Sequence, residues 1–206
     1  MIKVAIFDLG SVLASNEWPL IYAKIADESK VSKEKVIDIV DPLFRKWCAN
    51  EINEGIFWKK FEAQTEVKLS KEFTKDFWYK TYKEQSKDIK GSWEILIELQ
   101  IKGVRLALLS NITELHVLAN KEMGRLERLR DVGFEAFVWS CEEGLRKPDP
   151  KIYEVMLKKL GLPAKACVFI DDKLTNIEAA KKLGMEGIHF QNPEQLREDL
   201  TKPGLL

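Results

Sequence analysis

Three short apolar runs, each ending in a polar residue, constrain this chain more than any other feature. Ile2-Lys3-Val4-Ala5-Ile6-Phe7 leads into Asp8, Val104-Arg105-Leu106-Ala107-Leu108-Leu109 into Ser110-Asn111, and Ala166-Cys167-Val168-Phe169-Ile170 into Asp171-Asp172. A strand that is apolar at successive positions has no face to offer water, so it belongs inside a parallel sheet covered on both sides. Weaker runs of the same kind lie at Ala136–Trp139 and Gly187–Phe190. Helical patterns separate them, over Trp93–Ile101, Ile152–Leu160 and Leu174–Leu183, the last stopped by Gly184. Alternating strands and helices predict an α/β fold with right-handed crossovers.

Residues 14–90 break that rhythm. They hold no convincing strand but several helical stripes, such as Phe73, Phe77, Trp78 and Tyr82 behind an N-cap at Ser70. Twelve of the twenty aromatic residues fall here, among them Trp18, Trp47, Trp58 and Trp78. The rings either fill the core of a small helical bundle or, in one or two cases, line a pocket against the sheet. The expected organisation is a core of residues 1–13 and 91–206, with 14–90 as an α-helical insertion after the first strand.

Charge and cysteine content narrow the function. Thirty-three basic residues balance thirty-three acidic ones, so no overall field draws the protein to nucleic acid or to an anionic membrane. Cys48, Cys141 and Cys167 are odd in number and form no CxxC pair, which favours reduced thiols over disulfides or a zinc site. Cys167, inside an apolar run, is expected to be inert packing. No apolar run approaches about 18 residues and no leader-like pattern opens the chain, so a soluble, cytoplasmic protein is expected. GxGxxG and P-loop patterns are absent. Of the two histidines, His116 and His189, the second sits in a weak strand and reads as a core or edge residue rather than a catalyst.

Ligands of an open parallel sheet bind beyond the carboxyl ends of its strands. The polar residues expected there are Asp8 with Leu9-Gly10-Ser11, then Ser110-Asn111, then Asp171-Asp172. Lys147 joins them from the loop Arg146-Lys147-Pro148-Asp149-Pro150, just before a helix. Singly, each is an ordinary turn residue, helix cap or surface charge. Together they are more informative. Three clustered carboxylates repel one another and persist most easily around a cation, and an all-oxygen donor set suits Mg²⁺ better than zinc or copper. A hydroxyl, a lysine and a magnesium site together make a receptor for a phosphoryl group.

These residues resemble the four motifs of the haloacid dehalogenase superfamily, chiefly its phosphatases with a helical cap inserted after the first strand. The first motif is Ile6-Phe7-Asp8-Leu9-Gly10-Ser11-Val12-Leu13, the second Leu108-Leu109-Ser110-Asn111, and the third Arg146-Lys147-Pro148-Asp149-Pro150 with Ile152-Tyr153 behind it. The fourth is Val168-Phe169-Ile170-Asp171-Asp172, continued by Asn176, Ala179-Ala180 and Leu183-Gly184-Met185. Phe-Asp-Leu-Gly is most similar to the branch of bacterial sugar-phosphate phosphatases that includes α-D-glucose 1-phosphate phosphatase. The resemblance implies a Rossmann-like core, a small phosphorylated metabolite as substrate, and Asp8 as a nucleophile that forms an aspartyl-phosphate. It implies Mg²⁺ on Asp8, the Gly10 carbonyl and Asp172, with Asp171 acting through water or by orienting Lys147. Ser110 and Lys147 contact the phosphoryl group, aided by backbone N–H groups at Leu9, Gly10 and Asn111.

One departure matters. Most phosphatases of the superfamily carry a second aspartate, the general acid and base, where this chain has Gly10. Such help is typically worth about 10²–10⁴-fold. The gap leaves three readings open: a substitute acid such as Glu17, a haloacid dehalogenase-type hydrolase needing no metal, or a non-catalytic module that binds phosphate or a partner.

Overall fold

The computed structural model describes residues 2–15 and 18–206. Strand β1 (Val4–Phe7) opens the chain and is followed by five helices: α1 (Trp18–Ser29), α2 (Lys33–Cys48), α3 (Glu54–Thr65), α4 (Lys71–Thr74) and α5 (Phe77–Gln85). Helix α6 (Lys90–Ile101) leads into β2 (Arg105–Ser110), α7 (Glu114–Glu122), α8 (Arg125–Asp131) and β3 (Phe134–Trp139). The chain ends with α9 (Ser140–Glu143), α10 (Pro150–Leu160), β4 (Cys167–Asp171), α11 (Leu174–Lys182), β5 (Glu186–His189) and α12 (Pro193–Thr201).

Among the described residues the strands form one parallel sheet in the order β3-β2-β1-β4-β5. All three strong runs of the sequence occupy its middle, where both faces are covered. The period of two along a strand sends Ala5 and Phe7 to one face and Val4 and Ile6 to the other. The first face packs with Leu96, Leu99, Leu126, Leu129 and Leu196 from α6, α8 and α12. The second packs with Ile152, Tyr153, Met156, Ile177 and Ala180 from α10 and α11. The two weaker runs became the edge strands β3 and β5. No helix is long and apolar enough to cross a membrane among the described residues.

The insertion builds its own core. Trp78, fully buried, has ring centroids of Trp47, Phe57, Phe44 and Trp58 within 5.1–6.1 Å, mostly edge-on or tilted. Such pairs add about 0.5–1.5 kcal/mol each beyond their burial. The stripe expected to run on from Ser70 is instead broken in two. Ser70 does cap α4, accepting from the Phe73 N–H at 3.1 Å. Lys75 is then extended and Asp76 left-handed (φ 59°), so α5 starts afresh on a new axis. Across the break the Phe73 and Phe77 rings lie 4.7 Å apart.

Outgoing and returning chain meet beside the sheet. Ala14 bridges Asp88 in antiparallel fashion, Ser15 N–H donates to Lys87 O at 2.7 Å, and Ile89 N–H donates to Leu13 O at 3.0 Å.

Candidate active site

The carboxyl ends of β1, β2 and β4 converge because these strands are neighbours in the sheet. Asp8 follows β1 directly, its N–H donating to Ile170 O at 2.9 Å. The chain then turns sharply. Leu13 and Ala14 N–H groups both return to Leu9 O at 2.9 Å, and Ser11 takes the left-handed conformation (φ 59°). That turn keeps Gly10 at the strand mouth, where a Cβ would meet nothing within 4 Å. Leu9 N–H donates to Asp8 Oδ1 at 2.7 Å. Ser110 is the last residue of β2 and is buried. Asn111 beyond it holds the lysine loop in place: its Nδ2 donates to Lys147 O at 2.9 Å, and Lys147 N–H donates to its Oδ1 at 2.8 Å. The loop passes into α10 through Asp149, whose carboxylate caps the helix at Lys151 N–H, with Pro150 in the first turn.

Lys147 is the electrostatic centre. It is 1% exposed, far from the solvated charge that a lone lysine usually is. Its ammonium lies 2.9 Å from Asp8 Oδ1, 2.7 Å from Asp171 Oδ2 and 2.8 Å from Leu109 O, which uses its three donors. The Phe169 ring, centred 5.2 Å away, adds a cation–π contact. Burial alone would push the ammonium toward neutrality, but Asp171 and Asp8 outweigh it and hold its pKa above the ordinary lysine value.

The adjacent aspartates differ. Asp171 is fully buried and its oxygens are fully engaged: Asn176 Nδ2 donates to both at 2.9 and 3.0 Å, Lys173 N–H to Oδ1 at 2.8 Å, and Lys147 to Oδ2. Asn176 is itself fixed from α10 by the Tyr153 hydroxyl, which donates to its carbonyl at 2.9 Å. Asp172 is half-buried, with its backbone carbonyl 3.0 Å from His189 Nε2. Burial, then the charge of Asp171, raises the Asp172 pKa. Asp8 is pushed up to about 6 by burial, against the pull of Lys147 and with help from Asp171.

Asp8, Asp171 and Asp172 each offer a carboxylate oxygen within 4.8 Å of the others. Two of these carboxylates contact one buried ammonium, the third lies beside them, and every donor is oxygen. That chemistry fits Mg²⁺. Since Asp171 is already saturated, the oxygens free to ligate are those of Asp8 and Asp172, together with backbone carbonyls at the turn. Cys48, Cys141 and Cys167 are buried elsewhere, and burial raises the last two thiols to about 11. Glu17 lies outside the described residues.

The model of the haloacid dehalogenase-like hydrolases matches residues 2–184. The chain belongs to that family. Among curated haloacid dehalogenase-like relatives, the phosphorylated carbohydrates phosphatase of Thermotoga maritima is 25% identical over 189 residues, 91% of this chain and 84% of that one. With several other relatives the match is partial, and the chain spans only 12–47% of their lengths. Among solved structures, a HAD-like hydrolase from Porphyromonas gingivalis superposes with a TM-score of 0.77 at 23% identity, covering 98% of both chains. A HAD family enzyme from Bacteroides thetaiotaomicron, in complex with magnesium and inorganic phosphate, gives 0.75 at 20% identity, covering 93% of this chain and 96% of its own. At these identities the structural likeness concerns the fold.

Three residues of the haloacid dehalogenase-like site carried too weak a signal to be weighed from sequence. Tyr153 and Asn176 were visible only as parts of motifs, and their bond to each other depends on α10 packing against α11. Glu114, at the start of α7, accepts from the indole Nε1 of Trp47 on α2 at 2.9 Å to each oxygen, tying insertion to core beside the site.

Proposed function

We propose that this chain is a Mg²⁺-dependent phosphatase acting on a small phosphomonoester, a sugar phosphate being the class suggested by the Thermotoga relative. The observation that carries the reading is the charge balance at the strand mouth. One buried ammonium, pinned between Asp8 and Asp171, leaves an excess of carboxylate that a divalent cation and a phosphoryl group complete.

Asp8 is the nucleophile. Leu9 N–H and Lys147 fix its Oδ1, so the carboxylate cannot rotate away from the strand axis. A carboxylate oxygen attacks phosphorus, the bond from phosphorus to the alcohol oxygen breaks, and the electron pair leaves with that oxygen. With glycine at position 10 no side chain there supplies the proton, so solvent does; good leaving groups, such as the anomeric oxygen of a sugar 1-phosphate, are favoured. Water then attacks phosphorus, the bond to Asp8 breaks, and phosphate leaves with the carboxylate restored. Ser110 and the N–H groups of the Leu9–Gly10 turn receive the phosphoryl oxygens. Lys147 offsets the repulsion between an anionic nucleophile and an anionic substrate, and Asp171 with Asn176 aims Lys147. Mg²⁺ would be held by Asp8, Asp172 and the Gly10 carbonyl, where it would supply charge neutralisation and alignment for in-line displacement. Residues 14–90 are the cap that screens this chemistry and selects the leaving group.

The test is phosphate release from p-nitrophenyl phosphate and a panel of sugar phosphates, with Mg²⁺ or with EDTA, alongside Asp8→Asn. Turnover that needs Mg²⁺ and vanishes in Asp8→Asn is expected. Turnover unaffected by EDTA would refute the metal's part. Chloride release from 2-chloropropionate in EDTA would assign dehalogenation instead, and phosphate binding with no turnover would assign a binding module.

A further inference from the structure

The insertion joins the core through two passes of chain, and the two edges along which it meets the core are held very differently. At one edge stands Arg125, first residue of α8, only 1% exposed. Its Nε donates to Asp88 Oδ1 at 2.7 Å. Its Nη1 reaches Asn120 Oδ1 at 2.6 Å, Ser86 Oγ at 3.2 Å and the Tyr82 hydroxyl at 3.4 Å, while Nη2 donates to Ser86 O at 3.4 Å. One core guanidinium thus grips the last insertion helix through Tyr82, the returning chain through Ser86 and Asp88, and α7 through Asn120. Asp88 also pairs with Arg128, whose guanidinium lies 5.2 Å over the Trp93 ring. Trp93 Nε1 in turn donates to Leu13 O on the outgoing chain at 3.0 Å. Tyr82 adds a stacked contact with buried His116 of α7 at 4.4 Å.

A charge taken out of water is held only by its partners, and a buried guanidinium stripped of them is strongly destabilised. Lifting α5 from α7 and α8 would strip Arg125 of Tyr82, Ser86 and Asp88 together. Among the described residues the α2 edge has no such bolt. There the polar tie is the Trp47 indole to Glu114; the indole is buried but Glu114 is exposed, so water satisfies both groups once this side parts.

We propose that Arg125 is a positioning residue that fixes the α5 edge of the cap on α7–α8, so that substrate enters where the α2 edge parts at Trp47 and Glu114. The cap of this chain is then a flap hinged along one bolted side, not a lid swinging on two free linkers. The kinetic part of this inference rests on the phosphatase reading; the part about motion does not.

Hydrogen exchange by mass spectrometry on the full chain, with Arg125→Met, Asp88→Asn and Trp47→Phe, separates the alternatives. In the parent, residues 77–90 should exchange slowly and in step with 114–130, while 44–50 exchange faster. Arg125→Met should speed exchange over 77–90 by about tenfold or more, as expected when a local unit loses its anchor. It should also raise KM for p-nitrophenyl phosphate about tenfold, with binding of trifluoroberyllate at Asp8 in Mg²⁺ changed less than about threefold, because the cap positions the leaving group and not the phosphoryl oxygens. Trp47→Phe should speed exchange only over 44–50. If Arg125→Met does not fold, Asp88→Asn carries the same readings in weaker form. Unchanged exchange over 77–90 in both variants, or loss of beryllofluoride binding in step with KM, overturns the proposal. Should the parent hydrolyse no phosphomonoester, the phosphatase reading falls and the exchange data alone decide the bolt.

Discussion

His116 should make this protein acid-sensitive by an amount that can be worked out. Its ring is buried, stacked on Tyr82 and flanked by Phe44 at 5.7 Å and Trp78 at 6.3 Å, and its Nε2 has no hydrogen-bond partner. Burial drives its pKa from 6.5 down to about 3, against a small opposing contribution from the Trp78 backbone. The folded pKa is depressed, so the unfolded chain takes up a proton that the native state refuses. Stability is therefore whole above pH 6.5 and lost as pH falls below it, by about 1.4 kcal/mol per unit until the native ring also protonates. Between pH 7.5 and pH 5 the loss is about 2 kcal/mol, set by the unfolded value alone because the native ring is still neutral at pH 5. For a chain of this size that corresponds to a melting point lower by about 4–8 °C. The His116→Phe variant keeps an aromatic ring in the stack and removes the titration. Urea unfolding of parent and variant at both pH values isolates the term, since every other group titrates alike in the two. A difference between their pH dependences under about 0.5 kcal/mol would show that His116 gains a proton partner in the folded state and would refute the argument.

Two further perturbations bear on the site. Gly10→Asp restores a carboxyl where the backbone is unstrained and a Cβ meets nothing within 4 Å; kcat for alkyl phosphates should rise by about tenfold or more, toward the usual value of general acid help, and no rise in a Mg²⁺-dependent assay would mean that proton transfer does not limit turnover. Lys147→Met strands Asp8 and Asp171, and urea unfolding at pH 8 should show a loss of about 3–5 kcal/mol, the usual result of removing one partner from a buried pair. Part of that loss should return at pH 5 as Asp8, whose pKa burial raises, protonates, and full stability at pH 8 would contradict the ion-pair geometry.

Much of the fold was legible because apolar runs at consecutive positions have few physical solutions. Ile2–Phe7, Val104–Leu109 and Ala166–Ile170 are sheet-centre strands, and neighbouring parallel strands bring their ends together. The polar residues at those ends were therefore readable as one cluster. The division of labour within it was not. Asp171 and Asp172 are equivalent in sequence, yet one ends β4 paired with a buried lysine and the other, just past the strand, stays half-buried, a distinction made by the end of the strand and the seating of α11. Arg125 was invisible for a related reason. In Arg125-Leu126-Glu127-Arg128-Leu129-Arg130 every charge looks solvated, and only the return of the chain at Ser86–Asp88 puts a lid on the first. The break at Lys75–Asp76 was missed because Phe73, Phe77 and Tyr82 sit at helical spacing whether one helix carries them or two.

The bridge between Ala14 and Asp88 has an implication for redesign. Viewed from the sheet, the long excursion between them departs and arrives at a single doorstep, so its contents can change without shifting the register of any strand. On the proposed reading, in which that excursion selects the leaving group, substrate preference is thus open to wholesale transplantation, provided the incoming piece brings acceptors for the guanidinium waiting on the threshold.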